Sequence, residues 1–271
     1  MLCATATDDP VDGSPGEKTG LMTDPRLPDV VTLILAKNEE STIGDAVRGA
    51  LRFCRRVVVM DGHSGDSTAE VARLGGAEVH LDPGTGKGAA IRAGLEMVTE
   101  PVVVLMDADG SHDPADIPRL AEPILSDVSD LCVGSRFTGG SEELSITVGQ
   151  LVRTIGNISM NIAINKRWGV ELTDTLNGFR AVRRKAALEV GLREDIHTIE
   201  QEMVMKMLLS GYRVVNVPTH EFSRRFGESH IKIWRQWPHF VACVFTHVVR
   251  RSRRNGTDNR LNEPTEVRDS Q

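Results

Sequence analysis

At 271 residues and 40% hydrophobic content, the chain has enough material for one domain with a sizeable core. A formal charge of −6 and 4% aromatic residues exclude the basic, ring-rich surface that nucleic-acid binding requires. No run approaches the roughly 20 apolar residues of a bilayer span, the first residues lack a signal-peptide pattern, and Cys3, Cys54, Cys132 and Cys243 are scattered as reduced thiols would be, so a cytoplasmic protein, soluble or peripheral at the inner face of a membrane, is expected.

Residues 1–27 are rich in Asp, Gly, Pro and Thr without apolar periodicity and read as a disordered tail. Residues 30–36 read as a strand, and Ser41 is placed to cap a helix running to Phe53. Residues 56–60 form a second strand that ends at Asp61-Gly62-His63-Ser64-Gly65-Asp66. A helix over 67–74 and a short strand over 77–80 follow. Gly84-Thr85-Gly86-Lys87-Gly88 opens a helix over 89–98, and residues 101–106 are the fourth strand. This alternation predicts an α/β fold with a mostly parallel sheet flanked by helices, whose ligands bind at the carboxyl ends of the strands.

The second half changes character. Residues 131–137 read as a strand ending in a basic group, and 144–168 as a helical region with apolar side chains at Ile146, Leu151, Ile155, Ile158, Ile162 and Ile164. Helices are expected over 185–190 and 199–210, the latter starting with Glu200 and Glu202, and a strand over 212–217 is stopped by Pro218. Residues 233–251 mix Trp, Phe, Arg and apolar residues. That mixture suits either a peripheral helical segment on an anionic membrane or a C-terminal helix packed on the domain, and 252–271 read as a polar tail.

The most informative stretch follows the fourth strand: Asp107-Ala108-Asp109-Gly110-Ser111-His112. Alternate residues of an extended chain face the same way, so Asp107 and Asp109 can address one ligand. Oxygen donors placed like this suit Mg²⁺ or Mn²⁺ bridging a diphosphate. The plain alternative is a solvated turn. Polar groups recur at the other strand ends, at Asn38-Glu39-Glu40, Asp61 and Lys87.

Taken in order, Asn38-Glu39-Glu40, the turn from Asp61 to Thr68, Gly86-Lys87-Gly88, Asp107-Ala108-Asp109, Gly134-Ser135-Arg136, Asp174-Thr175-Leu176-Asn177-Gly178-Phe179-Arg180 and Arg224-Arg225-Phe226-Gly227-Glu228-Ser229-His230 resemble the family 2 glycosyltransferases of GT-A, Rossmann-like fold. The resemblance spans roughly 30–232 and is to the branch of dolichyl-phosphate mannosyltransferase and polyprenyl-phosphate glycosyltransferases. A catalytic domain over 28–232 with a C-terminal helical segment is the expected organisation. The chain departs from the family's pattern where Leu35 and Lys37 replace Pro and Tyr, Gly62 replaces a second acid, Ser111 replaces Gln and His230 replaces Lys.

The resemblance implies metal-dependent transfer of a sugar, with inversion, from a UDP- or GDP-sugar to a polyprenyl phosphate. Asp109 is then the first metal ligand, with Ser111 beside it; Asp107 contacts either the metal or the ribose, and Ala108 leaves room for the nucleotide. Leu35, Lys37, Glu39 and Asp61 are candidates for base and ribose contacts, Asp61 being alternatively a turn acid. Lys87 is a candidate phosphate contact at a helix start, or a plain exposed lysine. Arg136 and Arg224 are candidates to hold phosphate oxygens through their planar donor forks, with His230 joining them. Asp174 and Arg180 are read as braces of the acceptor loop. Glu202, near Glu200, is the candidate base in case the acceptor is a hydroxyl.

Transfer to a soluble hydroxyl acceptor, of phosphoglycerate or natural-product type, is the enzymatic alternative; the Asp61 turn and Gly-Lys-Gly also resemble glucosyl-3-phosphoglycerate synthases. A non-catalytic nucleotide-sugar-binding subunit is the alternative from another class, and a homo-oligomeric state is left open.

Overall fold

The computed structural model describes residues 26–142 and 148–223, together with Ala242, Cys243 and Thr246. The strands are β1 (Leu27–Ala36), β2 (Cys54–Asp61), β3 (Glu78–Leu81), β4 (Val102–Asp107), β5 (Leu131–Ser135), β6 (Arg180–Arg183) and β7 (Val214–Pro218). The helices are α1 (Ile43–Ala50), α2 (Thr68–Leu74), α3 (Lys87–Met97), α4 (Ile117–Leu125), α5 (Arg136–Gly139), α6 (Val148–Trp168), α7 (Arg184–Glu189) and α8 (Ile199–Leu209). A single 3₁₀ turn, Pro114–Asp116, precedes α4.

The unbroken apolar runs in β1, β2 and β4 follow from their position. They occupy the middle of a seven-stranded sheet of order β3-β2-β1-β4-β6-β5-β7, covered on both faces. On one face α3, α7 and α8 bring Ile91, Leu95, Ala186 and Met203 against Leu33, Val103 and Leu105. On the other, α1, α2 and α4 bring Val47, Ala72, Leu120 and Ile124 against Ile34, Val59 and Val104. Three buried thiols, Cys54, Cys132 and Cys243, are unoxidised.

From β1 the chain steps outward to β2 and β3, all parallel, then returns to pair β4 with the opposite edge of β1. That reversal opens a crevice at the carboxyl ends of β1 and β4. Beyond β4 the sheet is mixed, since β6 runs antiparallel to both β4 and β5.

Several boundaries differ from the sequence expectation. Helix α1 starts at Ile43, with Thr42 rather than Ser41 at the N-cap position, and the Thr42 hydroxyl donates back to Glu39 instead of capping an amide. Strand β5 stops at Ser135, and Arg136 opens α5, its amide and guanidinium both donating to Asp174. Helix α4 was not foreseen: Pro118 sits in the first turn, where no N–H is needed, and Ile117, Leu120, Ala121 and Ile124 bury one face. Strand β6 was also unforeseen, being four residues with an arginine at each end. Arg224, His230 and most of 233–251 lie outside the described residues.

Candidate active site

A cavity of about 770 Å³ sits over the carboxyl ends of β1, β2 and β4, within the size range of small-molecule sites. Leu35, Lys37 and Glu39 enter from the end of β1, and Asp107, Ala108, Asp109 and Ser111 from the end of β4. Lys87, the first residue of α3, and Arg136, the first of α5, close the sides together with Glu200 of α8.

Asp109 folds back on its own turn: the Ser111 amide and hydroxyl both donate to Oδ1, at 3.1 and 2.6 Å. Gly110 turns the chain there at φ 78°, a left-handed conformation that glycine adopts without strain. Asp107 faces Lys87, whose ammonium lies 2.8 Å from Asp107 Oδ1 and 2.7 Å from Glu200 Oε1. Burial alone would raise the Asp107 carboxyl, but the Lys87 charge outweighs it and holds the group well below the usual carboxylate range. Asp107 is therefore a carboxylate at any physiological pH.

The Lys87 turn differs from a free phosphate cradle. The Gly88 amide already donates to the Asp195 carbonyl at 2.8 Å. A Cβ at Gly88 would sit 2.1 Å from the Glu194 carbonyl oxygen, and one at Gly86 2.5 Å from that of Asp195. The two glycines thus let the segment after α7 lie against the start of α3. Lys87 is not a plain exposed lysine either, because two carboxylates hold its ammonium inside the cavity.

Arg136 is gripped by Asp174, Nε to Oδ2 at 2.7 Å and Nη2 to Oδ1 at 3.1 Å, with Glu221 Oε1 at 3.4 Å from Nη1. Desolvation would raise the fully buried Asp174 carboxyl, and the Arg136 charge reverses this, keeping it below the usual carboxylate range. Arg180, 0% exposed, donates to the carbonyls of Thr175, Asn177 and Glu200. It ties the loop before β6 to the start of α8, and Asn177 and Gly178 of that loop line the cavity.

Two expected residues do not line the cavity. The Asp61 carboxylate accepts from the Ser64 hydroxyl at 2.5 Å and the Ser64 amide at 3.3 Å, the turn role that was its alternative. Ser64 in turn accepts from the Asn38 amide at 2.9 Å, so Asp61 joins the loops after β1 and β2. Glu202 is 2% exposed and accepts from the Arg193 and Glu194 amides, with Lys206 Nζ 2.6 Å away. It anchors the segment after α7 and is enclosed away from the site; the carboxylate of this helix that reaches the cavity is Glu200. Glu202→Gln is expected to cost about 2 kcal/mol of stability in urea unfolding while leaving the pH profile of turnover in place. A lost basic limb would instead make Glu202 the base.

His112 was not singled out from sequence. Its ring stacks on Phe179 with centroids 4.7 Å apart, and Nδ1 accepts from the Asp107 amide at 3.2 Å. Only its place within the Asp107–Asp109 turn signalled it, since Phe179 arrives from β6's lead-in.

The donor set at the end of β4 fits a hard divalent cation, with two carboxylates and a hydroxyl as oxygen ligands. Among the described residues no three His, Cys, Asp or Glu side chains converge to hold a metal by themselves. A cation here would need its remaining ligands from a bound phosphate or water.

The glycosyl transferase family 2 model matches residues 32–191. The chain belongs to that family. It is a glycosyltransferase, and two of its relatives are named for a polyprenyl phosphate. It is 31% identical over 216 residues to the undecaprenyl-phosphate mannosyltransferase of Micrococcus luteus, covering 74% of this chain and 86% of that one. It is 30% identical over 211 residues to a dolichyl-phosphate hexose transferase of Haloferax volcanii, covering 77% and 89%. Glycosyltransferase AglJ of the same organism is 32% identical over 205 residues, 74% of this chain but 65% of AglJ, so the chain spans just under two thirds of that relative. Among solved structures, glucosyl-3-phosphoglycerate synthase from Mycobacterium tuberculosis in complex with Mn²⁺, UDP-glucose and phosphoglyceric acid superposes with a TM-score of 0.64 at 19% identity, covering 81% of this chain and 79% of that one. At that identity the likeness establishes the GT-A fold.

Proposed function

We propose that this glycosyltransferase moves a sugar, with inversion and with Mg²⁺ or Mn²⁺, from a UDP- or GDP-sugar to a polyprenyl phosphate. The observation that carries the reading is the pair Asp107 and Asp109 at the cavity floor, placed where the sheet reverses between β1 and β4. Asp109, with Ser111 and Asp107, would hold the cation, which when bound stabilises the charge growing on the departing diphosphate. Leu35, Lys37 and Glu39 lie on the β1 side, where the base and ribose are assigned, with Ala108 giving the nucleotide room. Arg136, steadied by Asp174, presents its guanidinium to phosphate oxygens on the opposite side, and the assignment extends to Arg224 and His230.

The acceptor class is supported by the two polyprenyl-phosphate relatives. It also agrees with the enclosure of Glu202: a phosphate monoester is already anionic near neutral pH and needs no strong base. No helix among the described residues is long and apolar enough to cross a membrane, and we assign the enzyme to the inner membrane face as a peripheral protein.

The test is a transfer assay with UDP- and GDP-sugars, Mg²⁺ or Mn²⁺, and a polyprenyl phosphate. Lipid-dependent nucleotide release with an inverted glycolipid product is expected. Release indifferent to the lipid would overturn the reading in favour of a soluble acceptor, and a product of retained configuration would overturn transfer with inversion.

A further inference from the structure

Helix α6 is turned inside out for a water-facing helix. Its inward residues from Gly156 onward are Gly156, Asn157, Met160, Asn161 and Ile164, whereas its exposed ones up to Lys166 are Ile155, Ile158, Ser159, Ile162 and Lys166. Steps of three and four residues place the exposed set on one stripe. Ile155, Ile158 and Ile162 are 55%, 43% and 60% exposed.

The inward asparagines explain why the helix cannot rotate to hide its isoleucines. Asn157 donates to Asp174 Oδ1 at 3.3 Å. Asn161 donates to the Thr173 carbonyl at 2.6 Å and accepts from the Thr175 hydroxyl at 2.7 Å. These bonds fix the segment that carries the Asp174–Arg136 pair, so α6 is a wall with the cavity's supports on one side and an apolar stripe on the other.

Charge names the occupant of that stripe. The sequence of α6 holds no Asp or Glu, and its last turn carries Lys166 and Arg167. An isoleucine stripe ending in cations matches acyl chains bordered by anionic headgroups. A symmetric pairing of two copies would oppose acid-free helices with no complementary charge. We propose that α6 is the face by which the protein lies on an anionic membrane, with Ile155, Ile158 and Ile162 in the acyl boundary and Lys166 at the headgroups. The proposal rests on the lipid-phosphate acceptor reading, which it deepens: such an acceptor projects from the kind of surface that α6 would contact.

The test is co-sedimentation of the full chain with phosphatidylcholine vesicles, with and without phosphatidylglycerol, in the absence of sugar donor and polyprenyl phosphate. Docking is thereby read separately from acceptor choice, which the transfer assay reads. Binding to the anionic vesicles is expected, falling about tenfold or more in Ile155→Asn/Ile158→Asn/Ile162→Asn. Lys166→Glu, a single exposed change, is expected to weaken binding to the anionic vesicles several-fold, and serves if the triple variant does not fold. Absence of vesicle binding, or binding unaltered by these variants, would overturn the proposal. So would light scattering that shows a dimer in the parent and a monomer in the triple variant, since the stripe would then meet a second copy.

Discussion

Asp109→Asn is expected to lower sugar transfer by roughly a thousandfold or more, because a neutral amide is a poor ligand for the cation that stabilises the leaving diphosphate. The fold should survive. Both of the Ser111 bonds fall on Oδ1 of Asp109, and an asparagine carbonyl oxygen accepts the same two donors. The melting temperature of the variant should therefore stay within a few degrees of the parent while kcat collapses, and Mn²⁺ affinity measured in the presence of nucleotide should weaken in parallel. Asp107→Asn should differ, because removing that carboxylate also leaves Lys87 with Glu200 as its remaining partner among the ion pairs described for it. Loss of stability as well as activity is expected there. Turnover undiminished in Asp109→Asn would sink the metal assignment.

The central fold was legible because β1, β2 and β4 are covered on both faces and so read as unbroken apolar runs. Strand β6 was hidden by its chemistry: Arg180 looks like a surface residue in sequence, and its burial depends on three carbonyls contributed by the loop before it and by α8. The choice between Glu200 and Glu202 was undecidable for a similar reason. Two residues apart on a helix of 3.6 residues per turn, they point about 200° apart, and which faces the cavity is set by how α8 packs. Asp61 illustrates a third limit. A carboxylate at a strand end can address a ligand or its own turn, and the bond it accepts from the Ser64 hydroxyl three residues on is not legible from residue type alone. Inverted patterning in α6 was readable as apolar spacing over Ile155, Ile158 and Ile162 but not as an outward face, because the inward asparagines find their partners more than ten residues away, at Thr173 and Asp174.

Asp174→Ala should be the most destabilising of the single changes considered, by about 3–5 kcal/mol, the usual cost of stranding one member of a buried ion pair. Arg136 would be left with Glu221 at 3.4 Å as its remaining ion-pair partner, and Asn157 would lose an acceptor. Asp174→Asn keeps the shape and one acceptor, so a smaller loss is expected. The two variants also predict a pH dependence with a definite sign. The folded Asp174 carboxyl lies below its ordinary value of 3.8, so the unfolded chain takes up a proton at higher pH than the folded one. Its contribution is then full above the unfolded value and drains away as pH falls through the folded one. Urea unfolding midpoints of the parent and Asp174→Asn should accordingly be far apart near neutrality and converge as the solution is made acidic. A gap that stays constant down to acid pH would mean that the Asp174–Arg136 pair is not held together by charge, and with it would go the argument that Asp174 steadies the guanidinium for phosphate.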